Sequence, residues 1–528
     1  MNKCFFFLLM LPVLVFGCKD NATELDSNVP KEEGKTAPLI DTSAIPLPDT
    51  MYASVAELEY SVTIFDSITS GELEDFVNSY GHTDGIFTFR GGPLRDASFV
   101  GKVTGIPDTI LKEWVFKTDY DKRHTKYGTW GGGTGWTGQP LYVCWPDSCM
   151  DKFHRNSKHL TKNFSKEEIL VGSLDGRIYF IDYQSGKMSR DSFNTQNPIK
   201  GTMSLDPSLN GNLYVGQGIP ATQPFGFFVF NLFTHQNTQF FGYDKNSWKH
   251  WDANDASAIR CGRFLFRNSE NGTVYKYLIK ENGALTLHST MRYRIKGFST
   301  PGMEASLAIY KNYGYLTDNH GHIICFNLNT LKPVWHYFNH DDSDATPVID
   351  LEEGQPYVYS GCEVDRRGDS ATSHIVKLNA LNGDLVWEEP LPAKRAHYHG
   401  QTFDGGVYGT PLLGQGDCKD LIFINFVNNL KPMAGEFMAL KKSTGEVVYR
   451  IPLKNYPWSS PICLLNEKEK MFVFTGDTWG YAYLIDAKAG KITFSKHIGN
   501  NFESSPIIID NHVVVGSRGQ EIYKLKIE

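Results

Sequence analysis

Apolar and polar residues alternate along most of this chain in short runs, and the runs recur in register. Trp458-Ser459-Ser460-Pro461-Ile462-Cys463 opens a unit that continues through Val473-Phe474-Thr475-Gly476-Asp477 to Tyr483-Leu484-Ile485-Asp486. Glu503-Ser504-Ser505-Pro506-Ile507-Ile508 opens the same unit again, followed by Val514-Val515-Gly516-Ser517 and Ile522-Tyr523-Lys524-Leu525. Alternation with period two over four to eight residues predicts half-buried antiparallel strands. A repeat of about 40–50 residues written in such strands predicts the blades of a β-propeller.

Reading backwards, further openings stand at Tyr408-Gly409-Thr410-Pro411, Asp344-Ala345-Thr346-Pro347, Glu304-Ala305-Ser306-Leu307, Asp255-Ala256-Ser257-Ala258, Lys200-Gly201-Thr202-Met203 and Thr137-Gly138-Gln139-Pro140. The count predicts an all-β, eight-bladed propeller of four-stranded antiparallel blades over residues 84–528. The last unit ends on its third strand, so an amino-terminal strand must supply the fourth. Ile86-Phe87-Thr88-Phe89-Arg90 is the expected donor. Such closure leaves no open sheet edge.

The amino end reads differently. Lys3 precedes an apolar run from Phe5 to Phe16 that ends at Gly17-Cys18. The run is too short to span a bilayer and has the layout of a secretory signal over residues 1–17. Val15-Phe16-Gly17-Cys18 resembles the lipobox of bacterial lipoproteins, which implies acylation of Cys18 and, with Lys19 following, an outer-membrane location facing the periplasm or the cell surface. Residues 18–83 are expected to form a polar, flexible tether. Within it Thr69-Ser70-Gly71-Glu72 reads as a capping box opening a short helix.

The Val171-Gly172-Ser173-Leu174-Asp175-Gly176-Arg177-Ile178-Tyr179-Phe180-Ile181-Asp182 run, the Ser-Ser-Pro openings, and Phe89-Arg90-Gly91-Gly92 followed by Trp114-Val115-Phe116-Lys117-Thr118 resemble the PQQ-like propeller family. That family includes quinoprotein dehydrogenases and members without a cofactor, among them the lipoprotein subunit of the outer-membrane β-barrel assembly machinery. The resemblance implies the fold and leaves the activity open, because propellers host many functions.

Composition narrows the field. A net charge of −7 argues against nucleic-acid binding. The 34 Phe and 26 Tyr are expected between blades. Cys144 and Cys149 bracket a four-residue stretch and are spaced for a small disulfide loop, while Cys362 and Cys418 lie in polar loops of successive units. No Cys-x-x-Cys pair suggests zinc, and neither the adjacent cysteines that quinoprotein dehydrogenases of this fold carry nor a haem-attachment motif occurs. Catalytic and metal-ligating residues are therefore not assigned. Asp341, Asp342 and Asp344 lack calcium-loop spacing, and His320 and His322 fall in an inter-strand turn.

The candidate ligand face is collective. In propellers of the family the residue before each small-residue step arrives near the central axis. Here those residues are Thr137, Lys200, Asp255, Glu304, Asp344, Tyr408, Trp458 and Glu503. Four acids and two aromatics around one mouth suit a sugar, a cation or a basic side chain. The sequence thus predicts a non-enzymatic, lipid-anchored envelope propeller that binds a protein or polysaccharide partner and carries no cofactor. The alternatives are a PQQ- and calcium-dependent periplasmic oxidoreductase and a carbohydrate-binding lipoprotein.

Overall fold

The computed structural model describes residues 43–48, 52–73, 80, 84–136, 138–398, 401–431 and 433–528. Cys18, the signal region and Thr137 lie outside them. Eight sheets, each built round a radial run of antiparallel strands, follow one another in chain order. Their inner strands are Leu141–Cys144, Ser204–Leu205, Ile259–Cys261, Ala308–Tyr310, Val348–Glu352, Leu412–Leu413, Ile462–Leu465 and Ile507–Ile509, defining blades 1 to 8. Each begins directly after one of the eight openings, so the repeat spacing predicted the blade count.

The opening motif has a physical role at the axis. Its hydroxyl residue accepts a backbone N–H from the preceding blade: Gln139 N donates to Thr202 Oγ1 at 2.8 Å, Ser257 N to Ser306 Oγ at 2.9 Å, Ser306 N to Thr346 Oγ1 at 3.0 Å and Thr410 N to Ser460 Oγ at 3.0 Å. Where Ser460 meets Ser505, the two hydroxyls also bond each other at 3.0 Å. Crowded inner strands leave these amides no ladder partner, and a buried unpaired amide is costly, so a small hydroxyl side chain is needed at this step.

Ring closure comes from a different segment than expected. Ile110–Lys117 forms the outer strand of blade 8 and pairs antiparallel with Glu521–Ile527, Val115 facing Tyr523. Residues 86–90 instead run into the axis. Gly85–Ile86 pairs with the inner strand of blade 1, after which Arg90, Gly91, Arg95 and Ala97 take left-handed backbone (φ 56, 83, 58 and 53) that no continuous strand tolerates. This axial segment touches every other blade in turn. Leu205 N donates to Phe87 O at 2.7 Å, Thr88 Oγ1 lies 2.9 Å from Ser257 Oγ, Ile309 N donates to Pro93 O at 2.7 Å, and Ile349 N to Leu94 O at 3.0 Å. Arg90 donates to Pro411 O and Pro461 O, and Lys102 N to Asp510 O. Arg90 and Arg95 are fully buried. Carbonyl and hydroxyl oxygens take their guanidinium N–H groups, except that Arg90 Nε has no acceptor; Arg95 alone reaches Leu307 O, Phe89 O, Ser257 O and Thr88 Oγ1. The segment therefore plugs the central channel and ties the blades together.

The expected tether is partly structured. Leu58–Ile64 adds a fifth strand to the outer edge of blade 3, pairing with Leu285–Ile295, and covers that edge. Thr69 to Leu73 are not helical; Lys276 donates to Gly71 O and Leu328 O and holds the stretch against blades 3 and 4. The remainder of the expected helix lies outside the described residues.

Neither suggested cysteine pairing forms, and no disulfide occurs among the described residues. Cys149 lies in the helix Asp147–Arg155, whose turn aims its sulfur at Leu209 O of blade 2, 3.7 Å away, and packs it with Trp145 and Phe153 rather than toward Cys144. Cys362 and Cys418 are buried in separate apolar clusters or strand ends, each with its own polar neighbour.

Candidate functional site

Because the plug fills one side of the channel, the opposite side becomes a blind funnel. Phe89 forms its floor. Asp255, Glu304, Asp344, Tyr408 and Trp458 line the wall, together with Trp136. Rotation of one repeat position thus brings residues spanning some 200 positions into one pocket. Lys200 lies at the same level, buried between Asp255 Oδ2 at 2.5 Å and Glu304 Oε2 at 3.5 Å. Glu503 stands to the side, accepting from Asn501 Nδ2 at 2.7 Å, with Arg518 Nε 3.6 Å away. Thr137 falls outside the described residues.

Several residues of the site carry no signal at the axial step itself. Glu270, in the turn between the second and third strands of blade 3, has ligand atoms within 4.8 Å of those of Asp255 and Glu304. Its Oε2 accepts from Trp251 Nε1 at 2.7 Å. Aligning Ser269-Glu270-Asn271-Gly272 with the Thr317-Asp318-Asn319 turn of the next blade would have found it. Glu363 sits in the excursion between the second and third strands of blade 5, where Glu363–Val364 pairs with Gly405–Gly406 of blade 6, and accepts from Asp344 N at 3.3 Å. Trp136 reaches over the funnel from the loop joining the closing strand to blade 1. Its Nε1 donates to Glu304 Oε2 at 2.9 Å, its ring lies 5.4 Å from that of Trp458, and Lys200 Nζ stands 4.3 Å from its centroid. Tyr408 and Trp458 pack at 4.9 Å, and the Trp458 indole N–H is buried without an acceptor.

The electrostatics are dominated by crowded acids. Burial, reinforced by Glu304 and Asp255, raises the Glu270 carboxyl well above the usual range. Burial and then Glu304 and Asp342 do the same to Asp344, and burial with Asp344 and Asp342 to Glu363. Asp342 is pushed up to about 8 by burial, against the pull of Arg366. Burial alone would lower Lys200, but Asp255 and Glu304 raise it, so it stays charged. Asp342 keeps a proton at neutral pH, and a bound cation would favour its release.

The other sequence candidates stay apart. Asp341 accepts the backbone amides of Asp342, Asp365, Arg366 and Arg367, which fixes a loop. His320 packs on Phe298 and His322 on His336.

The overall architecture is that of solved eight-bladed propellers. A quinohemoprotein alcohol dehydrogenase from Comamonas testosteroni superposes with TM-score 0.56 at 12% identity, covering 84% of this chain and 80% of that one. A europium-containing methanol dehydrogenase gives 0.52 at 12% identity, over 83% of this chain and 98% of that one. BamB from Moraxella catarrhalis gives 0.46 at 14% identity, over 79% and 98%. No protein-family model matches the chain, and no curated protein matches it in sequence. At these identities the likeness establishes the fold, and the chemistry has to come from the funnel.

The funnel's donor set does not suit the quinone of those dehydrogenases. PQQ is a flat tricarboxylate and needs cations around it. Here Lys200 is already held by Asp255 and Glu304, and further carboxyls, Glu270 and Asp344 among them, are buried nearby. Asp255, Glu270 and Glu304 are hard oxygen donors of the kind calcium takes, but the Lys200 ammonium sits among them.

Proposed function

We propose that the protein is a non-enzymatic binding propeller of the bacterial envelope, anchored through an acylated Cys18, whose acidic funnel receives a basic group of a protein partner. The observation that carries this reading is the surplus of carboxyls over cations around a closed, aromatic-walled pocket. Asp344, Glu363, Asp342 and Glu270 are all held above their usual range by burial and by neighbouring carboxyls, Glu304 foremost for three of them. A guanidinium or ammonium entering beside Trp458 and Tyr408 relieves that repulsion and finds aromatic faces for cation–π contact.

The test is calorimetric titration with lysine- and arginine-bearing peptides against neutral oligosaccharides. Wild-type protein should bind the basic peptides and release protons on binding. Trp458→Ala and Asp344→Asn should weaken capture at least about tenfold while melting close to wild type. Binding of neutral glycans in preference to basic peptides would transfer the assignment to the carbohydrate reading, for which the free Trp458 indole N–H is the supporting feature.

A further inference from the structure

Away from the funnel, at the outer end of the crossover between blades 4 and 5, three potential metal ligands converge. His340 follows the outer strand of blade 4, Pro333–Phe338, and has left-handed backbone with φ 69. His374 lies in the third strand of blade 5, Ser370–Asn379, and Glu388 in the fourth, Leu385–Lys394. These two strands are ten residues each, so their hairpin overhangs the crossover. The imidazoles stack at 3.6 Å with an interplanar angle of 19°. His340 Nε2 lies 2.8 Å and His374 Nδ1 2.5 Å from the same oxygen, Glu388 Oε1.

One of the two contacts, His340 Nε2 to Glu388 Oε1 at 2.8 Å, is a hydrogen bond; the other is not. His374 Nδ1 is shielded from solvent, yet its close approach to Glu388 is not aligned as a hydrogen bond, leaving the atom without one. Two ring nitrogens and a carboxylate oxygen, all within 4.8 Å of one another, are the donors that borderline divalent metals take. In tetrahedral zinc geometry, bonds of about 2.0–2.2 Å place ligand atoms about 3.3 Å apart, so the two nitrogens must draw back from Glu388 by about 0.5–0.8 Å and the rings must swing out of their stack for both lone pairs to meet one ion. His340 is 40% exposed and Glu388 25%, which leaves room for such a shift and for water in the fourth position.

We propose that His340, His374 and Glu388 form a transition-metal site of the zinc type, which bolts the crossover between blades 4 and 5 to the overhanging hairpin. Calcium and magnesium are disfavoured because two of the three donors are nitrogen. The crossover continues directly into Asp341, Asp342 and Asp344, so the metal fixes one wall of the funnel mouth from outside.

The experiment titrates metal-free, tag-free protein with Zn2+ by calorimetry and with Co2+ by visible absorption, in wild type and in His340→Ala, His374→Gln and Glu388→Gln. Wild type should take up one equivalent of Zn2+, show the intense bands of low-symmetry Co2+, and melt higher with metal than without. Each variant should bind at least about 100-fold more weakly, since loss even of an outer partner of a ligand costs 10–100-fold. A Glu270→Gln variant, altering the carboxylate cluster of the funnel, should leave Zn2+ uptake unchanged. Metal-free melting curves of the variants separate misfolding from ligand loss. Failure of folded wild type to take up Zn2+ saturably, or uptake that survives all three substitutions, overturns the site.

Discussion

Replacing Lys200 with methionine tests the electrostatic account of the funnel most directly. Lys200 is 6% exposed, with its ammonium 2.5 Å from Asp255 and 3.5 Å from Glu304. Methionine fills most of the same volume but removes the cation, leaving Asp255, Glu270 and Glu304 to face one another. Breaking a buried ion pair from one side costs about 3–5 kcal/mol. A ceiling of similar size follows independently, because the site can protonate a carboxyl instead, and neutralising an ordinary carboxylate at pH 7 costs about 4 kcal/mol. At about 2.1 cal/mol/K per residue, the ring of residues 84–528 gains about 0.9 kcal/mol/K on unfolding, so the melting temperature should fall by about 3–5 °C. The deficit should depend on pH. Without the lysine the folded-state carboxyl pKa values of Asp255 and Glu270 rise further, and a raised carboxyl pKa removes stability as pH climbs through it. The variant should therefore melt near wild type at pH 5 and furthest below it at pH 8. A second change, Asp255→Asn, should restore part of the loss by removing one of the uncompensated acids. Calorimetric melting of the three proteins across this range reads both effects. A Lys200→Met protein that melts within about 1 °C of wild type at pH 8, or whose deficit does not shrink on acidification, would refute the reasoning.

Other consequences follow from the same structure. In wild type, Asp342, Asp344, Glu363 and Glu270 all have raised carboxyl pKa values, so the ligand-free protein should lose stability as pH rises from about 5 through the Asp342 value near 8, and a bound basic peptide should flatten that slope; thermal melts with and without peptide check this. Arg95→Met strips hydrogen-bond donors from Leu307 O, Phe89 O, Ser257 O and Thr88 Oγ1 in the buried plug and should cost about 2–4 kcal/mol in urea unfolding, whereas a change below 1 kcal/mol would deny the plug a structural role. Val115→Pro, in the closing strand opposite Tyr523, should open the ring and expose the Glu521–Ile527 edge to limited proteolysis, while Ile86→Pro should not expose that edge. Cys18→Ser should move the protein from the washed membrane fraction to the soluble fraction with an unchanged melting curve; unchanged membrane retention would remove the anchor from the proposal.

The sequence by itself determined the ring. Seven of the eight openings pair a small residue with a hydroxyl, because the inner strands crowd at the axis and need that hydroxyl for an otherwise unpaired amide, as at Ser306 and Ser460. That requirement repeats with the chain, so it shows as a repeat, and the same periodicity carries Asp255, Glu304, Asp344, Tyr408 and Trp458 to one end of the axis. What does not repeat was hidden. Ile86–Arg90 reads as an apolar strand, and only the assembled ring shows that the left-handed kinks after Phe89 send it into the channel and leave Ile110–Lys117 to close blade 8. Lys200 gives no hint in the sequence that two acids from other blades hold it, and Glu270, Glu363 and Trp136 enter the site from turns and loops whose length and path no strand period governs. His340, His374 and Glu388 are brought together by an overhanging hairpin and a crossover, elements whose meeting depends on the packing of two blades. Local period fixes what every blade shares; contacts between unlike segments, made only when the ring shuts, decide the chemistry at its centre and at its rim.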